Sequence, residues 1–329
     1  MNAIQPSAHI EATVDKIQTS EVSRLEQAEA FVEVALDLQK QPKEMQDLLD
    51  ALFLYQKAEE MTEEHPLARA RAIAGRGTAL RRMPGSGLEE LTLACEAFEE
   101  ALPIMREQGT EEETAEVEMN YGLVLQALAS AGKAPITKAV ETYHRALRFF
   151  TRKLFPREFA ILHNNLATAY LSMRLSPERE VMREALAVQS FQEALKVINL
   201  EEDPTEYAML QNNLGNALQA MRSKHPWEDL HRAVEAYNEA LKVRTPHDTP
   251  IEYANTLTNK ANALMNLPDD MEQPQLGNPQ HLTEAAKMLR EAETIFTQHH
   301  VHDRAHIVGS LAGELEQELT AHSTAEGSP

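Results

Sequence analysis

The 329-residue chain is poor in the residues that organise many other folds. It has one cysteine and 12 glycines, and aromatic residues make up only 5 % of it. A single cysteine, Cys95, rules out an intramolecular disulfide. It directly follows an alanine of a predicted packed helix, so a reduced, partly buried thiol is expected. Few aromatics and few glycines argue against an all-β architecture. No apolar run approaches the ~18 residues needed to span a membrane. Bases are outnumbered too, at 31 Lys and Arg against 52 Asp and Glu, for a formal charge of -21. Phosphate binding needs a basic surface, so this balance argues against a nucleic-acid partner and disfavours an anionic membrane. The N-terminus has no basic segment followed by an apolar one, so no secretory signal is read and a cytoplasmic protein is expected. Gly-rich phosphate loops, nucleophile elbows and Cys-x-x-Cys pairs are missing, and the many carboxylates fall on helix faces expected to be solvated. Neither catalysis nor a cofactor is expected.

What the chain does have is a repeat. An alanine, an aromatic or leucine four residues on, and an alanine three further recur six times. The copies are Ala51/Tyr55/Ala58, Ala94/Phe98/Ala101, Ala139/Tyr143/Ala146, Ala187/Phe191/Ala194, Ala233/Tyr237/Ala240 and Ala285/Leu289/Ala292. Successive first alanines lie 43, 45, 48, 46 and 52 residues apart, the period of a stacked helical solenoid. The i, i+4, i+7 spacing places all three side chains on one helix face, where small residues admit a neighbouring helix and the large one fills the gap.

Upstream of each signature a companion helix carries a small residue: Ala35, Gly77, Gly122, Ala167, Gly215 or Ala261. Three residues later comes Leu38, Leu80, Leu125, Tyr170, Leu218 or Leu264. Asp203-Pro204-Thr205-Glu206 and Thr249-Pro250-Ile251-Glu252 predict helix starts with proline at the first position and a capping box. Phe155-Pro156-Arg157-Glu158 keeps the proline and the glutamate.

Small-x-x-large on the first helix (helix A) and Ala-x-x-x-aromatic-x-x-Ala on the second (helix B) resemble the tetratricopeptide repeat. Six copies cover roughly residues 20–300, and the unit exceeds the basic ~34 residues. The long form, with Asn-Asn-Leu-Gly or Asn-Asn-Leu-Ala on helix A, is similar to the kinesin-light-chain type. The resemblance implies an all-α, right-handed α-solenoid superhelix of about six helix-turn-helix units plus a C-terminal capping helix. The units are expected at approximately 20–64, 65–108, 109–154, 155–202, 203–247 and 248–300, with the cap at 303–319. Residues 1–19 and 321–329 are expected to be disordered. For function the resemblance implies a binding scaffold and nothing narrower.

In that fold helix A lines the inner wall, and the position two before its small residue faces the groove. That position is Asn120, Asn165, Asn213 and Asn259 in units three to six, and Gly75 in unit two. Thr168, Asn216 and Asn262 follow one turn later, and Asn164 and Asn212 stand beside the first set. Helix propensity does not explain this register, whereas amides can bracket a peptide backbone. The opposing reading is that they tie adjacent helices or face solvent. Arg69, Arg71, Arg76, Arg81 and Arg82 crowd helix A of unit two, with Arg71 and Arg82 in the groove. They either hold a carboxylate, on a side chain or a chain terminus, or balance the acidic segments at 59–64 and 111–113. A second basic cluster, Arg145, Arg148, Arg152, Lys153 and Arg157, suits a helix C-terminus. His299, His300, His302 and His306 offer an i, i+4 pair to zinc or nickel, but no cysteine or further motif completes a metal site.

The expectation is a non-enzymatic adaptor or assembly chaperone that holds a protein or peptide segment, with a second copy of the chain not excluded as partner. A regulatory sensor whose superhelix responds to a groove ligand is the alternative. A metal-binding or enzymatic accessory role for the histidines comes last.

Overall fold

In the computed structural model, which describes residues 4–85 and 87–326, all twelve alanines of the repeated signature are fully buried. The large residue between each pair is at most 1 % exposed. Their helices alternate with the companions to give fourteen α-helices and no strand among the described residues. In chain order these are α1 (Ala8–Gln18), α2 (Arg24–Lys40), α3 (Met45–Met61), α4 (Pro66–Arg82), α5 (Leu88–Gln108), α6 (Glu111–Ser130) and α7 (Ile136–Ala146). They continue with α8 (Pro156–Ser172), α9 (Pro177–Ala194), α10 (Pro204–Ala220), α11 (Pro226–Leu241), α12 (Pro250–Leu264), α13 (Pro279–Gln298) and α14 (His302–Glu326). The even members from α2 to α12 are helix A of their units, and the following odd ones carry the alanine signature.

The chain divides into two compact units between Asn165 and Leu166, within α8. In the first, α2 packs on α3, α4 on α5 and α6 on α7, and α4 also touches α2 and α6. In the second, α10 packs on α11, α12 on α13 and α13 on α14, and α10 touches α12. Each is therefore a stack of helix pairs, the all-α solenoid architecture expected from the period.

The close approach of helix A to helix B has a specific cause. A Cβ built on Gly122 would lie 2.3 Å from the Tyr143 ring, one on Gly215 2.5 Å from Tyr237 and one on Gly77 3.0 Å from Phe98. The aromatic of helix B thus packs directly against the bare backbone of helix A. Gly75 meets Tyr55 of the preceding unit in the same way, at 2.3 Å.

Proline sets half of the starts, since α4 and α8 to α13 all begin on it. The capping boxes expected at Asp203 and Thr249 do not form. Neither side chain caps its helix, and their ψ angles of 58° and 59° turn it away from the first N–H groups. Boxes form instead at Ser23 with Glu26 and at Thr110 with Glu113, where ψ is 157°.

The ends also differ from expectation. Residues 8–18 form α1, with Ile10 and Val14 buried. Asp50 holds its start, accepting from Ser7 N–H at 2.8 Å and from Ser7 Oγ at 2.6 Å. Two apolar residues make no visible periodicity, and the anchor lies 43 residues away. At the other end α14 runs past the expected cap, while residues 327–329 of the expected tail lie outside the described residues.

Candidate functional site

The asparagines predicted to line a groove fall into distinct environments. Asn212 is buried, and its Oδ1 accepts from Asn259 Nδ2 at 3.3 Å and from Thr256 Oγ1 at 3.2 Å. This amide pair ties α10 to α12. Arg244 extends the network by donating to Thr256 Oγ1 at 2.8 Å, and burial lowers its guanidinium pKa. Asn120 is buried too, its Nδ2 donating to the Glu116 carbonyl one turn back. Asn216 is exposed, and its Oδ1 accepts from the Tyr237 hydroxyl at 2.8 Å. Asn164 Oδ1 is buried without a hydrogen-bond partner. Asn165, Thr168, Asn213 and Asn262 are half-buried. Helix tying therefore accounts for Asn212 and Asn259, while Asn213, next in sequence, keeps accessible surface.

Four of the five arginines of unit two are engaged within the chain, while Arg81 Nε is buried without a hydrogen-bond partner. Arg71 pairs with Glu113 at 2.9 Å, Arg76 with Glu59 at 2.6 Å and Arg69 with Glu100 at 2.9 Å. Arg82 donates to the Lys40 carbonyl at 3.2 Å. Glu59 and Glu113 belong to the two acidic segments that the sequence offered as local counter-charges. Burial pushes the Glu113 carboxyl up, but hydrogen bonds from Arg71 and Thr110 outweigh it and leave the group below its ordinary value.

Arg71 and Asn120 do meet, in the wall of one cavity of about 150 Å³ between α2, α4 and α6. A second cavity of about 360 Å³ shares Val32, Leu36, Arg71 and Glu113 with it and adds Glu29 and Glu33. Together they form an apolar-floored, acid-rimmed recess on the helix A side of the first three units.

Arg145 and Arg148 of the second basic cluster border a different feature. Glu118, with a side chain 5 % exposed, accepts from Arg106 at 2.8 Å and from Arg145 at 3.0 Å. A cavity of about 230 Å³ lined by these residues and Arg148 lies beside it. The sequence did not single out Glu118 or the equally buried Glu184, which pairs with Arg183 at 2.9 Å. Glu118 has no local marker, because its partners come from α5 and α7.

The histidines do not assemble. His300 has a positive φ of 59° and closes α13: its N–H bonds to the Thr297 carbonyl, and Val301 N–H reaches the Phe296 carbonyl at 2.8 Å. The His300 and His302 rings lie 5.8 Å apart, and His306 Nδ1 contacts Ser310 Oγ at 3.2 Å. Among the described residues no three His, Cys, Asp or Glu side chains form a metal-binding group. No described helix is long and apolar enough to cross a membrane. Cys95 is half-buried, and burial raises its thiol pKa.

No family model and no curated protein sequence matches the chain. Solved structures do. A signal-transduction ATPase with numerous domains and a tetratricopeptide repeat sensor, from Pyrococcus horikoshii, matches 92 % of this chain at a TM-score of 0.56 and 14 % identity. The fold is a tetratricopeptide-like helical repeat. The matched part is 42 % of the archaeal protein, so the likeness concerns the repeat alone. BtubC (BKLC) from P. vanneervenii aligns with 72 % of this chain and 92 % of its own, at 19 % identity and a TM-score of 0.45.

Proposed function

We propose that this tetratricopeptide-like repeat is a non-enzymatic cytoplasmic scaffold, an adaptor or assembly chaperone that holds a segment of another protein on its helix A face. The observation that carries this is the recess between α2, α4 and α6. It joins Val32 and Leu36 to carboxylates and to Asn120, a mixture suited to a peptide's apolar and polar groups alike. Elsewhere on helix A faces, Asn165 of the first compact unit and Asn213 of the second are half-buried, and each carries an amide able to pair with a peptide backbone. A preorganised surface reduces the ordering cost of binding a flexible segment.

Affinity capture from the native extract tests the reading. The intact chain retains a protein partner, and the Asn165→Ala, Asn213→Ala variant loses it while keeping its helicity. Retention by both would contradict a role for these amides. A sensor role is the second reading, motivated by the repeat of the archaeal ATPase being a sensor. It requires the partner to be the output ATPase or an equivalent effector module.

A further inference from the structure

The fourth residue after the small position of helix A is glutamine in three units: Gln39, Gln126 and Gln219. In two of them the tyrosine of helix B uses it. Tyr143 donates its hydroxyl to Gln126 Oε1 at 2.9 Å, and the one proton of the Tyr237 hydroxyl is shared between Gln219 Oε1 at 2.9 Å and Asn216 Oδ1 at 2.8 Å. The first unit has the same two residues in the same register, Gln39 and Tyr55, but they make no such bond. Gln39 Oε1 and the Tyr55 hydroxyl are both buried with no hydrogen-bond partner. The residues themselves are 6 % and 0 % exposed. Two orphaned polar atoms in a core are costly and call for an explanation.

Both residues belong to the wall of the 150 Å³ cavity, together with Val32, Leu36, Val117 and Glu116. Across this cavity and its 360 Å³ neighbour the walls hold four carboxylates, Glu29, Glu33, Glu113 and Glu116. They hold one guanidinium, that of Arg71, already paired with Glu113. The recess is therefore rich in acceptors, negative in balance and apolar below its rim.

We propose that this recess receives a lysine side chain from a basic protein segment. The inference rests on the scaffold reading and names the chemistry of what is held. An ammonium group has three donors and no acceptor, so it can satisfy Gln39 Oε1 and the Tyr55 oxygen while facing the Glu116 carboxylate. Val32, Leu36 and Val117 suit the methylene stem. Two separate neutral oxygens suit a compact point charge better than the planar arginine fork, which matches a single carboxylate. Gln39 is unbranched, and turning its side chain presents the orphaned oxygen to the entering group. The formal charge of -21 favours a basic segment from the first encounter.

Fluorescence anisotropy with the full chain and a labelled Ala-Ala-Lys-Ala-Ala peptide tests the proposal, against peptides carrying norleucine or Nε-acetyl-lysine at the centre. The lysine peptide should bind at least tenfold more tightly than either. Gln39→Met and Glu116→Gln should each weaken it at least fivefold and leave the norleucine peptide unchanged. Glu116 is exposed, so its variant keeps the test valid if Gln39→Met misfolds. Equal binding of the three peptides, no binding at millimolar concentration, or indifference to both variants would overturn the proposal and leave the orphaned pair to bridging water. Partner capture that depends on Asn213 but not on Gln39 or Glu116 would overturn it while sparing the scaffold reading.

Discussion

Adjacent residues of identical type do different work in this protein, and their burial separates them. Asn212 is the acceptor of an inter-helix network, whereas Asn213 retains surface. Asn212→Ala should lower unfolding stability by about 1 kcal/mol, and Asn213→Ala should stay within about 0.5 kcal/mol. Urea titration of the two variants checks this, and equal losses would assign both amides to the core. Glycine positions differ in the same graded way. Gly122→Ala forces a Cβ to 2.3 Å from the Tyr143 ring and should cost about 1–3 kcal/mol. Gly77→Ala meets Phe98 only at 3.0 Å, and since both changes gain the same roughly 1 kcal/mol of helix propensity, it should come out distinctly milder. Thermal melts showing the reverse order would disprove the ring-on-backbone account. The asparagine register is legible in the sequence. Which asparagine faces inward is not, because that depends on where Thr256, 44 residues from Asn212, is brought.

Helix pairs, as elements, were the most legible part of the chain. Alanine at i and i+7 with a large residue between specifies a face, and every such face is buried. Helix ends were less so. Polar-Pro-x-Glu does start a helix, but the backbone entering α10 and α12 carries the cap side chain out of reach, and Ser23 and Thr110 do the capping elsewhere. The Ser23 box has a pH signature. Hydrogen bonds from the Ser23 side chain and backbone hold the Glu26 carboxyl below its ordinary value of 4.5. A depressed folded pKa means that this stabilisation is present above 4.5 and lost as pH falls through the folded value. Protection of the first-turn amides of α2 should therefore drop on acidification, and Glu26→Gln should remove that drop. An unchanged acid response in the variant would show that the box does not govern the start of α2.

For the molecule as a whole, the fold follows from the period, and function has to be read from what the helix A faces present. The recess on the first unit was half visible in advance. Arg71 and Asn120 were placed on the groove face, yet nothing local marked Gln39 and Tyr55, whose significance comes from failing to make a bond that two other units make. A glutamine recurring four residues after the small position was the available clue. The central claim is that another protein lies on the helix A side, and site-specific photo-crosslinking in native extract tests it most directly. A benzophenone residue is placed at position 213 on α10 in one variant and at exposed position 235 on α11 in another. The account predicts a discrete protein adduct from position 213 and none from 235. An adduct from 235 alone, or none from 213, would contradict it.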